Sequence, residues 1–281
     1  MNRELINETA EALFAAEVGG PSYLGLKESI PDLVHDLLAA LFPRHIGAPA
    51  EDGVALRRVR LLTAKASLLT ALACVLPEDA SADEIADGFI KELPEILRIL
   101  KTDILAAYQG DPAARHTDEI ILCYPAFTAI STFRLAHALY QRKVPILPRM
   151  MTEYAHERTG IDIHPGATVG EYFFIDHGTG VVIGETTTIG DHVTLYQHVT
   201  LGAKNFEMGA DGTLVKGIKR HPDIGNHVVI YAGATILGGR TVIGDHAVVG
   251  GNVWLTHSLG AGETIVTRPA NETKGTPALP Q

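Results

Sequence analysis

An aliphatic side chain recurs at every sixth position through much of the second half of this chain. Ordinary amphipathic strands would alternate every two residues, so they do not explain this period. A repeat of six predicts a triangular parallel coil, in which each side is a short strand and each corner is a tight turn. Three repeats, together about 18 residues, make one rung. The repeat positions are Ile163, Val169, Ile175; Ile183, Ile189, Leu195, Leu201; Ile224, Ile230, Ile236; and Ile243, Val249.

The first half of the chain has the period of α-helices, with apolar residues three and four apart. Ser81 and Glu84 resemble a capping box, and Pro94 is expected to start or kink a helix. We therefore predict an α+β protein with an all-α domain over residues 1–158, a parallel β-helix over 159–258 and a tail over 259–281. The helices predicted between these features are Leu56–Leu76, Glu95–Tyr108, Pro125–Tyr140 and Arg149–Glu157.

Composition argues against several partners and locations. The net charge is −10 and no basic run is dense enough to follow a nucleic acid, so we expect none. No uninterrupted apolar stretch reaches about 18 residues and Met1–Ala15 has no apolar signal core, so we expect neither a membrane span nor secretion. Two cysteines, Cys74 and Cys123, exclude a disulfide framework and favour a reducing cytoplasm. Both are expected to be buried packing residues.

The repeat is interrupted three times, and two of the interruptions contain reactive side chains. Ile175 and Ile183 are eight residues apart, and the surplus includes Asp176-His177. A long excursion after Leu201 ends in Arg220-His221-Pro222, while the third break, Gly238-Gly239-Arg240, lengthens one spacing to seven. An imidazole can act as a general base near neutral pH, and a guanidinium can bind a carboxylate with two hydrogen bonds.

These segments resemble the serine acetyltransferase family. The resemblance rests on the following motifs: Gly110-Asp111-Pro112-Ala113, Asp162-Ile163-His164-Pro165, Asp176-His177-Gly178-Thr179-Gly180, Gly184-Glu185, Val199-Thr200-Leu201-Gly202 and Arg220-His221-Pro222. It covers about half the chain. The resemblance implies a left-handed coil and direct acetyl transfer from acetyl-CoA to the hydroxyl of L-serine, as in cysteine biosynthesis.

The resemblance also implies roles for individual residues. His177 would remove the hydroxyl proton as the oxygen attacks the thioester, and Asp162 would orient that imidazole. Asp111 and Asp176 would contact the amino group of serine. The carboxylate of serine would be held by Arg220 and His221.

For the acetyl donor, the resemblance implies that coenzyme A lies along the coil between subunits. It would touch the chain near Gly202, Ala203, Ala232 and Gly251. No metal is expected. Active sites between subunits imply a homotrimer, or a dimer of trimers paired through the helical domains.

Three departures from the family pattern stand out. The excursion over residues 204–219 is longer than the usual Gly-rich loop and carries apolar side chains, so we expect it to cover the active site. The usual Gly-Val-Pro-Ala segment is reduced to Thr267-Arg268-Pro269-Ala270, with a late match at Gly275-Thr276-Pro277-Ala278, so coenzyme A contacts there are not carried over. The chain ends in Gln281, whereas members that dock into O-acetylserine sulfhydrylase end in Ile, so the resemblance does not extend to that complex.

Other functions compete with this interpretation. Another small hydroxyl acceptor, such as homoserine, is the alternative within acetyltransferases. His192, His227 and His246 fall at corners, where exposed turn residues are expected, but stacked histidines could instead bind zinc as in γ-class carbonic anhydrases. His164 is either catalytic or structural. A non-catalytic scaffold would leave the charged pairs at the breaks without a role.

Overall fold

The computed structural model describes residues 3–16, 23–51 and 53–267 of the chain. Within them, seven α-helices precede fourteen short strands. The helices are α1 Arg3–Ala15, α2 Leu26–Leu41, α3 Val54–Val75, α4 Ala82–Gly110, α5 Thr117–Cys123, α6 Pro125–Gln141 and α7 Leu147–Thr159. The strands are β1 Asp162–Ile163, β2 Thr168–Val169, β3 Phe174–Ile175, β4 Val182–Ile183, β5 Thr188–Ile189, β6 Thr194–Leu195, β7 Thr200–Gly202, β8 Asp223–Ile224, β9 Val229–Ile230, β10 Thr235–Leu237, β11 Val242–Ile243, β12 Val248–Val249, β13 Trp254–Leu255 and β14 Thr264–Ile265.

The predicted helices are present, with one correction at Pro94. The backbone N–H of Glu84 donates to the Ser81 hydroxyl at 3.2 Å, which caps the N-terminus of α4 as expected. Pro94 neither starts nor ends a helix, because α4 runs unbroken through it for 29 residues. Buried neighbours on both sides, Leu93 and Ile96, pack into the core and offset the hydrogen bond that proline cannot donate.

The strands form a parallel coil with three faces. We call them the first face (β1, β4, β7, β10, β13), the second face (β2, β5, β8, β11) and the third face (β3, β6, β9, β12, β14). The second residue of each strand points inward, and the twelve aliphatic positions of the repeat all occupy such places, as predicted. Together with the helical domain this is an α+β protein with a left-handed parallel β-helix.

Three corners connect the faces and are named here by their contents. The Asp176 corner joins the third face to the first and comprises residues 176–181, 196–199, 231–234 and 250–253. The loop corner joins the first face to the second and comprises residues 164–167, 184–187, 203–222, 238–241 and 256–258. The histidine corner joins the second face to the third and comprises residues 170–173, 190–193, 225–228 and 244–247.

The coil extends beyond residue 258, where the sequence placed its end. β14 pairs in parallel with β12, with Thr264 opposite Val248 and Ile265 opposite Val249. The fifth rung is therefore nearly complete. Apart from Thr267, the two C-terminal segments and the terminal Gln281 named above fall within residues 268–281, which are outside the described part of the chain.

A buried ion pair joins the helical domain to the first rung. Arg134 of α6 donates two hydrogen bonds to Asp103 of α4, at 3.1 and 3.0 Å, and both side chains are buried. The same guanidinium donates to the carbonyls of Val169 and Gly170 at 2.5 and 2.6 Å. Asp103 also accepts from the N–H of Phe173 at 3.0 Å. The first rung is thereby held against α4 and α6.

Of the two cysteines predicted to be packing residues, Cys74 packs against the core and Cys123 does not. Cys74 is half-buried near the end of α3, and its thiol contacts the carbonyl of Thr70 at 3.4 Å. Cys123 is exposed, so its predicted burial is wrong: α5 has only seven residues, and Ile120 is the one it buries. No single helix of the described residues is long and apolar enough to cross a membrane, although α5 and α6 together, bent by 80°, meet that criterion of length and composition.

Candidate active site

The Asp176 corner brings three of the predicted site residues together. Asp176 and His177 follow β3, and His177 is exposed with φ of 56°. The C-terminal end of α4 packs against the same turn, since Gly110 lies so close to the Phe174 ring that any added Cβ would clash with it. This packing carries Asp111 to the corner. The Tyr124 hydroxyl is the main cause of a lowered pKa of the Asp111 carboxyl, and the nearby His177 makes a smaller contribution in the same direction.

Asp111 is oriented by two donors. Its carboxylate accepts a short hydrogen bond from the Tyr124 hydroxyl and another from the N–H of Ala113 at 2.8 Å. The Tyr124 bond is the main reason that the pKa of Asp111 lies below its ordinary value. The pKa of Tyr124 is raised by burial, then by Asp111, with a smaller contribution from Asp176. The carboxylates of Asp111 and Asp176 therefore both lie near Tyr124, at the corner that carries His177, and would stabilise an ammonium group there.

Asp162 lies on the first face, next to this corner, but it pairs with a different residue. Arg149 of α7 donates to its carboxylate at 3.2 Å and also binds Glu153. Among the described residues, Asp162 makes no hydrogen bond to His177. Glu153, His156 and Asp162 have ligand atoms within 4.8 Å of one another, yet the Arg149 guanidinium pairs with both carboxylates of this group and already supplies a cation.

Arg220 lies at the loop corner, in a network with residues from an earlier rung and a helix. Its guanidinium donates to Glu185 at 2.5 Å, and the Tyr140 hydroxyl of α6 donates to the other carboxylate oxygen at 3.2 Å. The Arg220 pair lowers the pKa of Glu185 even though partial burial of the carboxyl opposes this. The ion pair is about three-quarters buried on both sides.

His221 is buried beside Arg220 and has a defined tautomer. Its Nδ1 accepts from the backbone N–H of Thr186 at 3.1 Å, so the proton of the neutral ring is on Nε2. Burial, helped by Arg220, lowers the pKa of His221 to about 4. The ring edge occupies the space over Gly184 that any side chain there would need. A neutral N–H donor is therefore available next to the Arg220 cation.

The structure places the two aspartates and His177 at a different corner from Arg220 and His221. The Asp176 corner and the loop corner stand on opposite edges of the first face with β4 between them, and no hydrogen bond or ion pair joins the two groups among the described residues. An amino acid as small as serine cannot reach both edges of one coil. Within a single chain, the groups predicted to hold its two charged ends are therefore not brought together.

The residues predicted to contact coenzyme A divide in the same way. Gly202 ends β7 and Ala203 begins the loop corner, whereas Ala232 and Gly251 lie at the Asp176 corner. Ala232 and Gly251 are stacked in adjacent rungs, since the N–H of Asn252 donates to the Ala232 carbonyl at 2.9 Å. Above them, the buried Oε1 of Gln197 has no hydrogen-bond partner among the described residues.

The long loop over residues 204–219 contains a small hairpin. Met208 and Leu214 pair in an antiparallel bridge. Between this loop and the coil is a cavity of about 530 Å³, lined by Lys204, Lys219, Arg220, Arg240 and Thr256 among others. Four cationic side chains thus surround one cavity in a chain that is acidic overall.

The histidine corner contains a column of parallel rings. Tyr172, His192, His227 and His246 stack with centroids 4.2, 4.6 and 4.7 Å apart. The three histidines are exposed and have positive φ, as expected of turn residues. Metal ligation requires ring nitrogens to converge in their planes, and face-to-face stacking turns them away from one another.

His164 has a structural role at the loop corner. Its Nδ1 accepts from the N–H of Gly166 at 3.0 Å, which closes the turn before β2. The ring is half-buried and meets Tyr140 edge to face. Burial lowers its pKa, with Arg149 as the next cause.

Several site residues were not identified from the sequence. Tyr124 and Tyr140 lie in helices whose pattern gives no sign of a second contact, and Arg149 was noted only as a helix start. Glu185 belongs to one of the family motifs but was given no role. An acidic residue in a corner turn could have been predicted to pair with the Arg220 cation at the same corner. Gln197 gave none.

Comparisons with known proteins give one family. No protein-family model matches the sequence. The plasmid serine acetyltransferase of Synechococcus elongatus is 48% identical over 259 residues, which cover 85% of this chain and 80% of the relative. The Bacillus subtilis serine acetyltransferase is 45% identical over 172 residues, covering 61% of this chain and 75% of that protein.

Solved structures agree with this result. Serine acetyltransferase 1 of Entamoeba histolytica, in complex with L-cysteine, has a TM-score of 0.78 and 37% identity and covers 83% of this chain and 86% of its own. The Neisseria gonorrhoeae enzyme in complex with serine has a TM-score of 0.58 and 26% identity over 86% and 96% of the two chains. By sequence and by fold, this chain belongs to the serine acetyltransferase family and is an acyltransferase.

Proposed function

We propose that this protein transfers the acetyl group of acetyl-CoA to the hydroxyl of L-serine, with His177 as the base. The observation that carries this proposal is a set of opposite charges suited to an amino acid, together with the exposed imidazole of His177. Asp111 and Asp176 are suited to the ammonium group of an amino acid, and Arg220 with neutral His221 is suited to its carboxylate. His177 is exposed at the same corner as the two aspartates.

The reaction follows from this placement. The serine oxygen attacks the thioester carbonyl carbon while His177 takes the hydroxyl proton. The tetrahedral intermediate then breaks its carbon–sulfur bond, and the imidazolium returns that proton to the departing thiolate. Asp162 would orient the imidazole, and this role requires its carboxylate to exchange Arg149 for His177 or to bind both.

We infer that each active site is shared between two subunits. The Asp176 corner of one coil and the loop corner of a neighbour would supply the two halves that a single chain keeps apart. A heterologous contact of this kind, repeated around a threefold axis, closes into a trimer with three sites. A dimer of trimers through the helical domains remains compatible with the same site.

The chain's residues fit acetyl-CoA at two places. The orphaned Gln197 Oε1 lies at the Asp176 corner between the level of His177 and that of Ala232, and it can accept an N–H from the pantetheine arm. Gly202, Ala203, Ala232 and Gly251 leave backbone accessible at the two corners of the proposed cleft. Binding there would place the thioester toward His177.

The test is release of free CoA from acetyl-CoA in the presence of L-serine, compared with homoserine and with sugars. We expect serine to be the preferred acceptor, and absence of turnover with serine would refute the proposal. Preference for homoserine would instead favour the alternative acceptor.

The His177→Ala variant should lose roughly two or more orders of magnitude in kcat. His192→Ala is a matched control, because His192 also follows an aspartate, is exposed and has positive φ, but lies at the histidine corner. Equal losses in the two variants would remove the case for His177 as the base.

A further inference from the structure

The first face carries a file of outward side chains that ends in an exposed tryptophan. Parallel pairing aligns the outward residues one above another, from Asp162 through Val182, Thr200 and Thr235 to Trp254. Trp254 is 69% exposed. Single exposed apolar residues are common, but an indole left in water on a strand beside a cationic cavity requires an explanation.

Two cations without an ion-pair partner among the described residues line a cavity that also includes Thr256, two residues after Trp254. Thr256, the first residue after β13, lines the cavity under the long loop and lies two residues, or about 7 Å of extended chain, from Trp254. Of the cations in that cavity, Lys219 is held by Asp223 and Arg220 by Glu185. Lys204 and Arg240 are exposed, and their side chains have no ion-pair partner among the described residues.

The distance along the coil suits one ligand. Four rung spacings separate Asp162 from Trp254, and at roughly 4.8 Å per spacing this is about 19 Å. The pantetheine arm and diphosphate of coenzyme A can span this length. A threefold axis parallel to the coil leaves each height unchanged, so the match holds whichever subunit supplies the base.

From these observations we propose that Trp254 is the stacking platform for the adenine of the acetyl donor, and that Lys204 and Arg240 bind its phosphates. The ligand class is an adenosine 3′,5′-bisphosphate group. This inference rests on the proposed function for the choice of donor. It assigns the nucleotide end of the donor to the fifth rung and the long loop.

The chemistry matches each half of that group. An indole face stacks on a purine, with an effect of about tenfold or more in affinity per base. The phosphates of coenzyme A carry several negative charges, and two unpaired cations at one cavity favour them. The Glu207 carboxylate, which also lines the cavity, repels an anion, but four cationic side chains line the same cavity.

Intrinsic fluorescence tests the proposal directly, because Trp254 is the only tryptophan of the chain. In the full-length oligomer, we expect saturable quenching by CoA and by adenosine 3′,5′-bisphosphate, and none by pantetheine. Lys204→Ala and Arg240→Ala should weaken the bisphosphate more than adenosine. Quenching by pantetheine alone, or none by any of these probes, would overturn the assignment.

Kinetics provides the second measurement. Trp254→Ala should raise the KM for acetyl-CoA by roughly tenfold and leave kcat and the KM for serine unchanged, and Trp254→Phe should recover most of the loss. Val242→Ala is the control, since Val242 is likewise an exposed apolar residue that begins a strand, but on the second face.

The outcomes separate this inference from the proposed function. If the wild type acetylates serine but the Trp254 and cation variants keep its KM for acetyl-CoA, the nucleotide site is refuted and the function stands. If CoA quenches Trp254 but serine is not acetylated, the function is refuted and the nucleotide site stands. If Trp254→Ala changes the oligomer's mass and CoA has no effect on emission, Trp254 is a subunit contact and the inference is overturned.

Discussion

His221 shows how a corner of the coil sets the chemistry of one side chain. The Thr186 backbone fixes its tautomer, and burial with the adjacent Arg220 keeps the ring neutral. A neutral ring can donate one hydrogen bond from Nε2 without adding charge to a site that already contains a guanidinium. Arg220 itself is partly neutralised by Glu185, so the carboxylate of a substrate would join an existing pair rather than a bare cation.

The lowered pKa of His221 makes stability depend on pH in a defined direction. Above about pH 6.5 neither the folded nor the unfolded state carries the proton. As the pH falls toward 4, the unfolded state binds a proton that the folded state does not. The free energy of unfolding should therefore fall across this window, by up to about 3 kcal/mol from this group.

The expected result is a shallower pH dependence of the thermal midpoint between pH 6.5 and 4 for His221→Gln than for the wild type. His192→Gln replaces an exposed imidazole and should keep the wild-type slope. If the His221 and wild-type slopes coincide, the ring is not held neutral by the fold.

At the scale of the elements, the contact between α4, α6 and the first rung determines where Asp111 lies. The Asp103–Arg134 pair ties two helices to carbonyls of the coil, and α4 ends beside Phe174, one residue before Ile175 and two before Asp176. A shift of α4 would move Asp111 away from His177. The position of Asp111 in the site therefore depends on the contact between α4, α6 and the first rung.

Replacing Arg134 with Met should destabilise the protein by about 3–5 kcal/mol, because it leaves the Asp103 carboxylate buried without a partner. The double variant Asp103→Leu/Arg134→Met should be less damaging than the single one. Thermal midpoints measure both.

Arg98→Met is the matched control, since Arg98 also joins α4 to the coil through Glu171 but is half exposed. Its removal should lower the thermal midpoint much less than Arg134→Met does, because an exposed ion pair contributes little to stability. Equal effects of Arg98→Met and Arg134→Met would show that the joint does not depend on burial.

The sequence predicted the coil well because its signal is local: each aliphatic residue marks its own strand, and all twelve were placed correctly. The charged pairs at the breaks were found for the same reason. Tyr124, Glu185 and Arg149 act across long sequence separations, and no periodicity reports such contacts. Pro94 does not start a helix, which was one of its two predicted roles, because tertiary packing outweighed a local propensity.

At the scale of the whole molecule, a shared site predicts that two inactive variants can restore each other. His177→Ala disables the Asp176 corner, and Arg220→Ala disables the loop corner. A mixed trimer of the two contains one interface with both intact corners. With random assortment of equal amounts, average activity should reach about a quarter of the wild type.

The measurement is serine-dependent CoA release by co-expressed variants. His177→Ala with Asp176→Ala is the control pair, since both residues lie at the same corner and no interface can combine their intact halves. No restoration in the test pair would place the whole site within one subunit, and restoration in the control pair would show that Asp176 and His177 serve different sites.

The spacing between stacked strands has a wider consequence. Paired positions on the first and third faces are separated by 20, 18, 35, 19 or 16 residues in different rungs, yet the inward aliphatic file is never displaced. Chain length at a corner is therefore free to vary without cost to the core. A lineage with this architecture can acquire a new acceptor or donor preference by inserting or deleting a few codons at a turn, a route that is closed to folds in which loop length and core register are coupled.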